Sequence, residues 1–207
     1  MPSAATRPSS ASSVRPAGRQ NVNALIKHIL EDDTLPEMAR DLFRLQAKEY
    51  ASVEARLREV EAKLMNWHRA DDVSRRIATI PGVGPIGSTM LSIKAPPAAT
   101  FKSGRHFAAW LGLTPKDHST GGRVRLGGIT KAGDPGIRST LVVGATALLR
   151  HVRKGRTKPS PWLAALLERK PPKLVAVALA NKFARIAWRL MVSGGVYNRP
   201  PAPMLSA

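Results

Sequence analysis

The sequence predicts a mainly α-helical protein, with an N-terminal coiled-coil-like helix followed by a helical domain containing a helix-hairpin-helix and a basic loop. Three observations carry this expectation. An apolar heptad runs through residues 37–67, with no Gly or Pro after Pro36. Asp134-Pro135 and Ser160-Pro161 each set a capping side chain before a proline whose fixed φ suits a first helical position. Only VRLGGIT has the pattern of a short strand, so little β structure is expected.

Taken in order, residues 1–20 are Ser- and Arg-rich and lack the apolar stretch of a secretory signal. Their three prolines oppose an amphipathic transit helix, so a disordered tail is expected. Asn21 to Leu30 is a short amphipathic helix, punctuated by EDDT and Pro36. The long helix from Glu37 to about Trp67 places Phe43, Tyr50, Leu57 and Leu64 at one heptad position and Val53, Val60 and Trp67 at the other. Gln46 is the polar member of that seam, and charged flanks such as EARLREVEAKL suit an exposed helix laced with ion pairs. The stripe reads either as an arm for self-association or as a helix packed on its own domain.

Asp71 or Asp72 is expected to cap VSRRIAT, and Ser103 to cap a helix through GRHFAAWLGL that ends near Thr114-Pro115. Residues 116–133 read as a loop or hairpin. A helix from Asp134 to about His151, the basic linker HVRKGRTKPS, the helix WLAALLER and a last helix from about Lys173 to Val192 complete the chain. Gly194-Gly195 stops that last helix. The expected organisation is a tail (1–20), a helical arm (21–70), a helical domain (71–195) and a Pro-rich tail (196–207).

Charge narrows the function. Of 33 Lys and Arg and 14 Asp and Glu, residues 1–72 hold 11 of each. The net +19 therefore sits wholly on residues 73–207, where the acids are only Asp117, Asp134 and Glu168. So basic a region repels itself unless a polyanion offsets it, and nucleic acid is the leading candidate. The absence of Cys excludes a disulfide framework, a thiolate metal site and a cysteine nucleophile. No apolar run is long enough to span a bilayer, so no membrane partner is expected.

Two constellations carry chemistry. Ile80-Pro81-Gly82-Val83-Gly84-Pro85 lies between helical segments and reads as the hairpin of a helix-hairpin-helix. Gly82, Val83 and Gly84 would bring backbone amides to a phosphate, aided by the N-terminus of the following helix. Such contacts carry no base sequence information. No Lys or Arg follows the second glycine, and a turn buried for packing is the other reading. The second constellation runs from Asp117 to Lys131, with Ser119, Thr120, two glycine pairs, Arg123, Arg125 and Lys131. A hydroxyl among guanidiniums suits nucleophilic phosphoryl transfer, and equally a basic loop that only grips phosphates. His118 is no obvious base for Ser119, because neighbours in an extended chain point oppositely. Eleven of the fourteen acids lie in residues 31–72, many on helix flanks, so no metal site is expected in this chain.

IPGVGP, GLTP…STGGRVRLGGITKAGD and PWLAALLERKPPKLVAVALANKFARIAWRLM together resemble the C-terminal half of transposases of the Insertion Sequence 110 family, the 116/110/902 group, over about residues 35–195. In that family an N-terminal RuvC-like domain supplies four metal-binding acids, a coiled coil follows, and a helical domain bears a serine nucleophile. Members recombine DNA as multimers, some guided by a bridge RNA. The resemblance implies that Ser119, before the double glycine, is the nucleophile, with Thr120 where relatives often carry a second Ser. It implies DNA as partner, a guide (bridge) RNA as a second partner, homo-oligomers, and a cytoplasmic, nucleoid-associated protein. Residues 1–20 resemble none of the RuvC-like half, so a truncated or frameshifted copy is expected. No cofactor is expected in this chain, and Mg only with a RuvC-like partner domain. The isolated chain is then expected to be inactive, and a non-catalytic nucleic-acid-binding remnant that dimerises through residues 38–67 is the alternative function.

Overall fold

The computed structural model describes Gly18 and residues 21–198, apart from Gly121 and Val124. The tail expected over residues 1–20, and most of the Pro-rich tail at 196–207, lie outside the described residues. The chain is mainly helical and divides into two compact units, residues 1–61 and 62–207.

The first unit contains α1 (Val22–Leu30) and most of α2 (Glu37–Ala70), a single 34-residue helix. No residue of either helix is buried. The heptad positions Phe43, Val53, Leu57 and Val60 are all at least 38% exposed.

The last turns of α2 belong to the second unit, and a hydroxyl network explains why. His68 Nδ1 lies 2.7 Å from Ser74 Oγ, which in turn meets Ser88 Oγ at 3.1 Å and Thr89 Oγ1 at 3.2 Å. These side chains join α2 to α3 (Asp72–Ala78) and α4 (Pro85–Lys94). Ser74, Ser88 and Thr89 are buried, so each hydroxyl needs such a partner. Asp71 is the residue that caps α3, accepting from Ser74 N at 2.6 Å, and it also accepts from Ser92 Oγ at 2.8 Å.

After a 3-10 turn (Ala98–Thr100) come α5 (Gly104–Trp110), β1 (Pro115–Asp117), β2 (Leu126–Ile129), α6 (Pro135–Arg153), α7 (Pro161–Arg169) and α8 (Pro172–Ser193). The expected caps are present. Ser103, Asp134 and Ser160 accept from the amides of His106, Ile137 and Leu163 respectively. Helix α5 stops four residues before the expected Thr114, because Gly112 turns left-handed at φ 71°.

Helix α8 is the centre of the core and packs against α3, α5, α6 and α7. Its buried face, including Val175, Leu179, Ala180, Phe183, Ala184 and Ala187, recurs at helical spacing. The small residues let neighbours approach closely, as does Gly104, where a Cβ would lie 3.0 Å from Arg185 O. Trp188 Nε1 donates to Ala98 O at 3.0 Å and ties the 3-10 turn to α8.

The 80–85 turn sits on this core through a backbone-to-backbone contact. A Cβ on Gly144 of α6 would collide with Gly82 O, and one on Gly82 would stand 2.9 Å from Gly144 O and 3.1 Å from the Phe183 ring. Gly82 also has φ 91°, where side chains are strained. Gly84, by contrast, has nothing within 4 Å of its Cβ position. Gly144→Ala should therefore lower unfolding stability by about 1–3 kcal/mol, as overpacking does. Chemical denaturation would measure this, with Gly84→Ala as the control expected to stay within a few tenths of a kcal/mol. Equal midpoints for the parent and Gly144→Ala would contradict the close packing.

Candidate nucleic-acid interface

Strands β1 and β2 form an antiparallel hairpin pairing Pro115 with Ile129 and Asp117 with Leu126, with an irregularity between. Its stem is fixed to the helices. Lys131 N donates to Gly112 O at 3.1 Å and Thr130 N to Thr114 O at 2.9 Å. A Cβ on Gly112 would run into Ala132 N, and one on Gly133 into Trp110 O, so both stem crossings need glycine. Arg138 of α6 donates one guanidinium nitrogen to Leu111 O (3.2 Å) and Gly133 O (2.9 Å). Asn181 of α8 donates to Leu113 O at 3.1 Å. Lys94 pairs with Asp134 at 3.1 Å, and the Ile137 amide together with that lysine holds the Asp134 carboxyl below its usual range.

Beyond the stem the hairpin is exposed. Ser119, Thr120, Arg123 and Arg125 all face solvent. Ser119 Oγ accepts from the Arg125 amide at 3.0 Å, and the Ser119 amide donates to Asp117 Oδ1 at 2.9 Å. Hydrogen bonds from the Ser119 side chain and amide lower the Asp117 carboxyl from its ordinary value. His118 N pairs with Arg125 O at 2.9 Å, and its ring lies over Gly127. Thr120 and Arg123 form an isolated bridge across the tip. The hairpin thus gathers Ser119, Arg123 and Arg125, while Lys131 lies at the stem with φ 59°, positive for a non-glycine residue.

The 82–84 turn is held elsewhere, by α6 and α8. Val83 is 4% exposed and belongs to the core, and Gly82 is packed as described, which leaves Gly84 exposed before α4. Gly84 provides no side chain to cap that helix, and Pro85 occupies its first turn.

Sequence reasoning set Asp117 at the start of the second constellation but gave it no role, although Asp two residues before a Ser is a local signal, since its carboxylate reaches the amide two positions on. It also missed the pairing of His68 with Ser74. That pair lies within hydrogen-bond distance, yet Ser74 is fully buried, so it locks packing and offers no nucleophile. Among the described residues no three His, Asp or Glu side chains are grouped to hold a metal ion. No helix of the described residues is long and apolar enough to cross a membrane.

The model of the Transposase IS116/IS110/IS902 family matches residues 74–159, from α3 past the hairpin to the linker after α6. A putative transposase, y4pF/y4sB, of Sinorhizobium fredii is 58% identical over 183 residues, 88% of this chain and 47% of the relative. A probable family 20 transposase of Pseudomonas aeruginosa is 41% identical over 84% of this chain and 52% of its own length. The transposase for insertion sequence element IS1328 of Yersinia enterocolitica is 35% identical over 82% and 50%. The chain spans about half the length of these curated relatives. Its resemblance to C-terminal transposase sequence is consistent with that share, and residues 74–159 belong to the Transposase IS116/IS110/IS902 family.

Proposed function

We propose that this chain is the DNA-binding, serine-bearing domain of an insertion-sequence transposase, acting in DNA transposition by phosphodiester strand exchange. The observation that carries the proposal is an exposed serine, oriented by Asp117 and the Arg125 amide, on a basic hairpin within the family-matched segment. Ser119 Oγ attacks phosphorus, an Oγ–P bond forms, and the P–O bond to the leaving deoxyribose breaks. The hydroxyl proton leaves Oγ, and the departing oxygen gains a proton. Arg123, Arg125 and Lys131 offset the charge that develops on the phosphate. Helices α3 and α4 act as a helix-hairpin-helix, with Gly82, Val83 and Gly84 shaping the turn and the first turn of α4 facing the DNA backbone. The acids that hold magnesium come from a RuvC-like domain outside these residues. A guide (bridge) RNA is a further partner, and the protein works in the cytoplasm, associated with the nucleoid.

The test combines the chain with a metal-binding RuvC-like domain, fused or in trans, the element's DNA ends and any guide RNA. A covalent seryl–DNA adduct should accumulate, and Ser119→Ala should abolish it. DNA affinity should change little, since one neutral contact contributes only about 0.5–1.5 kcal/mol. Thr120→Val should keep the adduct. An adduct that survives Ser119→Ala and vanishes in Thr120→Val would move the nucleophile one residue along.

A second reading, a non-catalytic nucleic-acid-binding protein that dimerises, is favoured by α2. A helix with Val53 and Val60 more than half exposed gains by burying that face in a copy of itself. Leu57→Asp would then put a charge into an apolar seam at a cost of several kcal/mol. Sedimentation should show the parent as a dimer and the variant as a monomer. A parent already monomeric at high concentration would contradict coiled-coil assembly.

A further inference from the structure

A groove of about 1220 Å³ runs between the hairpin and helices α7 and α8. Its floor is apolar, built from Leu113, Ile129, Val177 and Ile186. Five cations line it, Lys116 and Lys131 from the hairpin and Lys173, Lys182 and Arg185 from α8. Among the described residues no Asp or Glu lines it. Trp162, 40% exposed, stands at its side, with Lys182 Nζ 4.1 Å from the ring centroid.

These features select one kind of ligand. A cationic rim without acids fits a polyanion. An apolar floor and an indole are of no use to a duplex, which hides its bases and offers only phosphates to such a surface. An unpaired strand presents both parts, phosphates for the rim and flat base faces for the floor and the indole. Burial, with Arg185 adding to it, lowers the Lys182 ammonium from its usual range, so an arriving phosphate relieves a charge that is already poorly solvated.

We propose that the groove between the hairpin and α7–α8 seats an unpaired DNA strand, with a base stacked on Trp162 and phosphates held by Lys173, Lys182 and Arg185. The choice of DNA rests on the reading of Ser119 given above. Lys116, on the groove, is three residues from Ser119, a span of at most about 10 Å. A strand gripped in the groove is thereby led toward the hairpin's hydroxyl. Among the described residues, neither the turn at 82–84 nor the hairpin tip carries a Trp, Tyr or Phe ring, so the groove adds an indole platform that those sites lack.

The experiment measures fluorescence anisotropy of the full chain with a labelled oligo-dT of about 12 nucleotides, within the range of single-strand site sizes. A duplex and an oligo-U of the same length are the comparison probes. Trp162→Ala should weaken oligo-dT binding about five- to a hundredfold, the worth of one stacked base, and leave duplex binding near that of the parent. Trp162→Phe should restore most of the loss, which a folding defect would not allow. Lys173→Gln with Arg185→Gln should lower the salt slope of strand binding by about 1.4, two phosphates' worth. A 5-iodouracil placed in the strand should photo-crosslink to Trp162. Unchanged strand affinity in Trp162→Ala, or a crosslink mapping outside the groove, would overturn the proposal. Tighter binding of oligo-U than of oligo-dT would overturn its assignment to DNA. Strand binding is read without any reaction, so the two readings fail separately. A seryl adduct without strand binding removes the groove proposal alone, and strand binding without an adduct removes the role of Ser119 alone.

Discussion

The second unit depends on one constraint, that backbone must touch backbone where the 80–85 turn meets α6. Gly82 and Gly144 approach so closely that neither tolerates a side chain, and the Phe183 ring closes the contact from α8. This lets α3 and α4 sit directly on α6 and α8, with Ile77, Ile80, Val83 and Leu91 in the shared core. Packing at such distances gains dispersion energy over many atom pairs, and a single added methyl forfeits it. The hydroxyl network of Ser74, Ser88 and Thr89 then fixes α3 against α4 and holds the last turns of α2 by His68.

That rigid body makes the hairpin useful. A two-stranded hairpin alone is marginal in water. This one is tied at its stem by Arg138 and Asn181 and pinched by Gly112 and Gly133. The tip can then carry exposed arginines and a hydroxyl without packing of its own. The arrangement keeps like charges at the surface, away from the apolar core.

Some of this was legible in the chain and some was not. The caps at Ser103, Asp134 and Ser160 were legible because capping is local, a matter of one side chain and an amide three residues on. Helix α5 was read too long because Leu111 and Leu113 continue its apolar pattern, while both serve the hairpin stem and core. The strand Pro115–Asp117 gave no signal, since all three residues are exposed and no alternation marks a face. Gly82 could be read locally only as a turn residue, because its partner Gly144 lies 62 positions away. The groove was hidden for the same reason. Lys116, Trp162 and Arg185 come from three separate stretches and meet only in the fold. The proposal of Ser119 as nucleophile rests on family resemblance rather than composition, and the hydrogen bonds between Ser119 and Asp117 emerge only with the geometry.

The central claim is that an anchored basic hairpin and the body behind it form a nucleic-acid interface. Hydrogen–deuterium exchange of the full chain with and without a DNA end tests it most directly. The account predicts that DNA slows exchange in residues 116–131, which include the hairpin. Slowed exchange confined to residues 21–60, with the hairpin unchanged, would contradict it.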